Sequence, residues 1–145
     1  MSKTKKIIVV GCILLCILFL FTGCKRDYKF TFSYNLETRE YTHGSNVELS
    51  ASIKNDSGCT YSYYGGESDF EPHIYLYNES NGVKYVMPMD IPSTHDMGKF
   101  RIENGVSKTR TVYFTIPSDA TLGEYNLRLS YLKSSIEYEN VLKVV

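Results

Sequence analysis

The sequence predicts an all-β domain, a sandwich of two antiparallel sheets, set behind an apolar leader. Three observations predict it. Beyond residue 24, apolar and polar residues alternate with a period of two in run after run, the pattern of strands with one buried face and one wet face. Turn residues separate the runs. No segment after residue 24 carries a helical 3.6-residue pattern of useful length.

In chain order, the first element is the leader. Lys3, Lys5 and Lys6 precede an apolar run from Ile7 to Phe21, broken only by Gly11, in which Cys12 and Cys16 act as small hydrophobes. Thr22 and Gly23 follow, then Cys24. This is the order of a signal peptide: lysines held on the cytoplasmic side, an apolar helix that partitions into the bilayer, and small residues that let a peptidase reach the backbone. Leu20-Phe21-Thr22-Gly23-Cys24 resembles the lipobox of bacterial lipoprotein precursors, with Phe21 where that motif more often has Leu. The resemblance implies a cleaved signal peptide over 1–23, lipid on the Cys24 thiol and a short lipidated tether over 24–27. The competing reading is an uncleaved signal anchor. A spanning helix needs about 20 apolar residues, with a lower limit of about 17, and 7–23 lies at the short edge of that range. Both readings place the rest of the chain on the extracytoplasmic side of a cell membrane.

Residues 28–145 are expected to form one domain of ordinary size. Phe30, Phe32, Tyr34 and Leu36 alternate with polar residues, as do Val47, Leu49, Ala51 and Ile53, then Val112, Phe114 and Ile116, then Tyr125, Leu127, Leu129 and Tyr131. Gly44 lies in a turn, and Asn81-Gly82 and Asn104-Gly105 offer the positive φ of tight hairpins. Pro117 closes a strand because it has no N–H to give the ladder. The expected strands are 28–36, 46–54, 73–78, 83–87, 98–103, 107–116, 123–132 and 137–145, with irregular stretches near 55–72 and 88–97. Seven or eight short strands at this spacing predict the sandwich.

The stretch from Ile116 to Leu127 contains Pro117, Gly123, Tyr125 and Leu127 in a Pro-x-x-x-x-x-Gly-x-Tyr-x-Leu pattern. It resembles the turn into strand F of bacterial immunoglobulin-like domains. The resemblance implies that Tyr125 plugs the corner, with its hydroxyl bonded to upstream backbone. Leu127 stands where antibody-type domains carry a cysteine, which makes this a disulfide-free variant.

Composition narrows the function. The chain has 16 basic and 16 acidic residues, and without the leader lysines the balance is acidic. With no basic stripe, nucleic acid is not an expected partner. Of four cysteines, Cys12, Cys16 and Cys24 are taken by the leader and the lipid site. Cys59 is left alone, so the mature domain has no intrachain disulfide. His43, His73 and His95 are not at metal-ligand spacing, and Asp56, Glu67, Asp69 and Glu71 do not match a calcium loop. No nucleophile elbow or phosphate loop is present. No metal, cofactor or catalytic residue is expected. The one unusual surface candidate is Tyr61, Tyr63 and Tyr64, beside Gly65-Gly66, since Tyr-, Ser- and Gly-rich loops make good recognition surfaces. The plainer alternative has Tyr61 and Tyr63 packed along an edge strand, with Tyr64 exposed. The expected function is a non-enzymatic binding module of the bacterial envelope, membrane-held through its lipid, with a protein or envelope component as partner. The competing functions are a proteinase inhibitor presenting loop 55–72 or 88–97, and a small envelope hydrolase using Cys59 or the histidines.

Overall fold

The computed structural model describes residues 28–66, 71–90 and 97–145. The leader, its expected helix and Cys24 lie outside the described residues. Among those described, the chain forms strands β1 (Phe30–Leu36), β2 (Glu40–Tyr41), β3 (Asn46–Asn55), β4 (Tyr61–Gly66), β5 (His73–Ser80), β6 (Val83–Val86), β7 (Met97–Ile102), β8 (Ser107–Thr115), β9 (Gly123–Tyr131) and β10 (Ser134–Val144). The domain is all-β and its sheets are antiparallel, apart from a short parallel pairing of β2 with β10. Each of the eight expected segments holds a strand. β2 and β4 are additional, and β4 falls inside a stretch expected to be irregular.

The strands make a three-stranded sheet, β1-β3-β8, a five-stranded sheet, β2-β10-β9-β5-β6, and a two-stranded ribbon, β4-β7. The two larger sheets face each other. Val47, Leu49 and Ala51 of β3 and Val112 and Phe114 of β8 share one buried cluster with Leu76 of β5, Leu127 and Leu129 of β9 and Leu142 of β10. Each large apolar side chain buried there contributes roughly 1.5–3 kcal/mol. A second cluster, Phe30, Ile53, Tyr61, Ile102 and Tyr131, fills the end of the sandwich under the ribbon. The alternation is strict in β3 and β9, and in β8 from Arg110 onward. It is looser in β1, where Phe32 and Leu36 are half-buried and Tyr34 is exposed. β1 is an edge strand, and its inner face looks onto the seam with β10. Tyr138 partly closes that seam, its hydroxyl donating to Phe32 O at 2.9 Å and its ring lying 4.8 Å from that of Tyr34.

Of the two Asn-Gly pairs, one makes a hairpin. Asn81 and Gly82, at φ 53° and 75°, join β5 to β6 with Ser80 opposite Val83. Asn104-Gly105 does not: β7 and β8 follow one another along a single direction. β7 pairs with β4 and β8 pairs with β3. The four strands are therefore one long two-stranded ribbon bent at an elbow. Gly105 still needs its φ of 80°, because the turn points its N–H at Asn55 O, 2.7 Å away.

Asn55 is the pivot of that elbow. Its side chain is fully buried, and its Nδ2 donates to Cys59 O and to Ile102 O, each at 2.8 Å. Its Oδ1 accepts from the Ser57 N–H at 3.1 Å and from the Ser57 hydroxyl. Its own N–H donates to Val106 O at 3.1 Å. One amide thus bonds both strands of the bend. Asn55→Ala leaves buried carbonyls and an N–H without partners, and such a group costs about 1–3 kcal/mol. The variant is expected to lose about 2–3 kcal/mol in a denaturant melt. Asn55→Asp removes the two donors and is expected to be no milder.

Candidate functional site

The sequence-predicted residues separate into three environments. Tyr125, on β9, is fully buried, and its hydroxyl donates to Thr121 O at 2.9 Å. Burial pushes its phenol up to about 12. The glycine two residues earlier belongs to the same corner: Gly123 has φ 120°, and a Cβ there would lie 3.4 Å from Asn78 Nδ2. His43 joins the corner from the turn before β3, donating from Nε2 to Ala120 O at 2.9 Å. This group holds structure. It offers no open face for a ligand.

Tyr61, Tyr63 and Tyr64 stand on β4. Tyr61 is 7% exposed and belongs to an edge-to-face aromatic cluster, with its ring centroid 4.7 Å from Tyr28, 5.7 Å from Phe30 and 6.3 Å from Tyr131. Burial raises its phenol above the ordinary value. Tyr63 is 41% exposed and Tyr64 is 68% exposed. Tyr63 shares the Tyr61 face of the ribbon, opposite Phe100, yet reaches past the end of the core. Tyr64 lies on the outward face, opposite Lys99 and diagonal to Arg101, and both of those side chains are exposed.

The hairpin from β9 to β10 lies at this same end, because Tyr131 belongs to the aromatic cluster. Its two-residue tip is Leu132-Lys133. Leu132 is 53% exposed at φ 52°, a left-handed conformation that costs a non-glycine residue about 1–2 kcal/mol.

Charge divides along the long axis. The ribbon end carries Lys29, Lys54, Lys99, Arg101, Lys108 and Lys133, against Asp56 and Glu103. Asp56 is bonded by Thr31 and by Lys54 at 3.1 Å, which hold its carboxyl below the ordinary value. The opposite end carries Glu37, Glu40, Glu48, Glu79, Asp119 and Glu124, against Arg39, Lys84 and Lys143. Glu67 and Asp69, and with them most of the acidic loop, lie outside the described residues, as does His95.

Sequence reasoning missed one array, on the outer face of the five-stranded sheet. Tyr75, Arg128 and Glu137 fall in one row across β5, β9 and β10. Lys84 Nζ sits 3.7 Å from the centre of the Tyr77 ring, Arg128 pairs with Glu137 at 3.0 Å, and the Tyr77 hydroxyl donates to Glu137. The Tyr77 bond, with Arg128 second, pulls the Glu137 carboxyl down. Only the register brings these residues together; the visible signal was the Tyr75-x-Tyr77 spacing. These charged groups are engaged with one another within the array. Cys59 is a half-buried free thiol 3.5 Å from Ser57 Oγ. Among the described residues no group of His, Cys, Asp or Glu is arranged to hold a metal ion.

No family model matches the chain, and no curated protein is similar to it. Solved structures align with it at low identity and low TM-score. A β-glucosidase from Listeria innocua in complex with glucose aligns at TM-score 0.49 and 15% identity over 81% of this chain; the chain spans 16% of that enzyme's length. A sporulation control protein from Bacillus subtilis aligns at TM-score 0.47 and 17% identity, over 79% of this chain and 49% of that one. A CARDB domain from Pyrococcus furiosus aligns at TM-score 0.48 and 14% identity, over 81% and 95%. At these values the likenesses say nothing of activity.

The corner and the ribbon give two measurable expectations. A phenol with a raised folded pKa stabilises fully below its unfolded value, near 10, and that stability drains as pH climbs through the folded value of about 12. Alkaline melts should therefore weaken between about pH 10 and 12. Tyr125→Phe should lose about 1 kcal/mol or more at neutral pH and show a flatter alkaline slope; an unchanged neutral midpoint would mean that the Thr121 bond contributes nothing. On the ribbon, Tyr61→Ser should cost about 2 kcal/mol or more, since a buried ring is lost, whereas Tyr64→Ser should leave the midpoint within about 0.5 kcal/mol.

Proposed function

We propose that the chain is a lipid-anchored, extracytoplasmic, immunoglobulin-like domain of a bacterial envelope that works by binding, without catalysis. The observation that carries the reading is a spacing: the Leu20–Cys24 box ends four residues before Tyr28, whose ring already packs on Tyr61. A lipid on Cys24 would leave almost no free linker between membrane and domain. Support for the immunoglobulin-like assignment comes from the parallel β2–β10 pairing beside antiparallel β9 and β5 and from the buried Tyr125 corner. Support for binding over catalysis comes from the side chains themselves. The histidines His43 and His73 stand apart, one bonded at the corner and one exposed at the start of β5. The partner class that fits is a protein or envelope component presented near the membrane.

Cys24→Ala tests the anchor. The variant should lose acyl label in a metabolic labelling experiment and retain residues 1–23 by intact mass, while the unsubstituted chain is labelled and shortened. An unlabelled, uncleaved native chain would replace the lipid anchor with a signal anchor.

A further inference from the structure

We infer that the ribbon end of the domain docks on an anionic phospholipid surface through the Leu132-Lys133 tip and the Tyr64, Lys99 and Arg101 face. The inference rests on the anchored reading above, which supplies the membrane. What the domain adds is a surface built to meet it.

The position follows from chain direction. Tyr28 packs on Tyr61, and β1 runs away from that contact toward Leu36. The chain before Tyr28 therefore leaves from the ribbon end. From Cys24 to Tyr28 an extended chain reaches roughly 14 Å, at about 3.5 Å per residue. A domain on so short a tether meets the headgroup region with this end and no other.

The chemistry of that end suits the same occupant. Leu132 holds a left-handed φ at a hairpin tip and leaves its side chain 53% exposed. Glycine or asparagine would occupy that backbone more easily, so an apolar side chain is displayed there at a conformational cost. Tyr64 displays an aromatic ring, the side chain that favours the boundary between hydrocarbon and water. Lys133, Lys99 and Arg101 surround these groups with positive charge, and apolar tips among basic residues are the composition of interfacial contacts with anionic lipid. Among the described residues the opposite end holds more acidic side chains (Glu37, Glu40, Glu48, Glu79, Asp119 and Glu124) than the ribbon end, where Asp56 and Glu71 are paired with Lys54 and Arg110, a charge polarity that would orient the described domain in the field of an anionic surface.

The chain contains no tryptophan, so a single introduced one reports its own depth. Leu132→Trp and, as a second reporter, Tyr64→Trp can be compared with Val83→Trp on the far hairpin, where the side chain is 70% exposed. The full-length chain is reconstituted in vesicles of phosphatidylglycerol and brominated phosphatidylcholine, or of phosphatidylcholine with its brominated form alone. In the anionic vesicles, tryptophan at 132 or 64 should be blue-shifted and quenched several-fold more than at 83. The difference should fall by roughly half or more in about 0.5 M salt, where the screening length shortens to a few ångströms. It should fall likewise in Lys99→Glu/Arg101→Glu/Lys133→Glu. Equal quenching at 132, 64 and 83 would overturn the proposal, as would quenching at 132 and 64 that is unchanged in neutral vesicles and in the charge-reversed variant. Intact mass of the same preparation reports separately on Cys24. A retained, unmodified leader would remove the lipidation reading, while the tryptophans would still report the depth of each end, because the leader itself holds the chain at the bilayer.

Discussion

The architecture turns on one buried amide. β3 and β8 form a ribbon that is longer than the sandwich needs, and the excess must bend over the open end without leaving backbone groups dry and unpaired. Asn55 does this by bonding both limbs of the bend at once, with Cys59 and Ile102 carbonyls on its donors and Ser57 on its acceptor. No aliphatic residue offers two donors and an acceptor in that space. With the elbow fixed, Tyr61 and Ile102 close over Phe30, Ile53 and Tyr131, and the second core is buried. In a chain whose one described cysteine is a free thiol, a satisfied polar network takes the role that a disulfide has in many exported domains of this size.

A second buried polar group stitches the same region. Arg110 lies on the inward face of β8, 6% exposed, opposite Ala51, at the level where the main cluster gives way to the aromatic one. Its Nε donates to Glu71 at 2.6 Å, which ties the approach to β5 in one sheet to β8 in the other. Replacing such a pair by apolar residues is often neutral, but removing one partner is costly because the other charge stays buried. The pair therefore contributes more to which arrangement forms than to how stable it is. It ties Glu71, just before β5, to β8.

The parts of this fold that were legible in the sequence are those in which one buried face imposes a period of two. β3, β8 and β9 are read directly because, over most of their length, every second side chain is buried in one of the two clusters or against them. β4 was not legible as a strand: Tyr61-Ser62-Tyr63-Tyr64-Gly65-Gly66 alternates for only three residues, and its burial comes from the elbow. Asn104-Gly105 carries a true turn signal, but its positive φ serves a carbonyl on Asn55 and not a hairpin. The hairpin that does form at Leu132-Lys133 carries no turn signal, because its geometry is imposed by the pairing of Tyr131 with Ser134. The loop tyrosines divide by register: Tyr61 faces the end of the core, Tyr63 stands one row beyond it and Tyr64 faces outward. The Tyr77–Glu137 array was unreadable for the same reason, since its members come from four different strands.

If the chain is anchored at Cys24 as proposed, the short tether makes the charge polarity physically consequential. Along β3 the domain is about 33 Å long, at roughly 3.3 Å per residue, whereas the electrostatic screening length at physiological ionic strength is about 8 Å. On that reading an anionic surface within reach of the tether would act on Lys99, Arg101 and Lys133 and would be almost fully screened at Glu79, Glu124 and Asp119. The acidic end therefore adds little repulsion and the basic end adds attraction, so the two ends do not cancel although the whole chain is close to neutral. A long linker would let thermal tumbling average this asymmetry away. With a lipid on Cys24, a tether of four residues would fix which end is sampled.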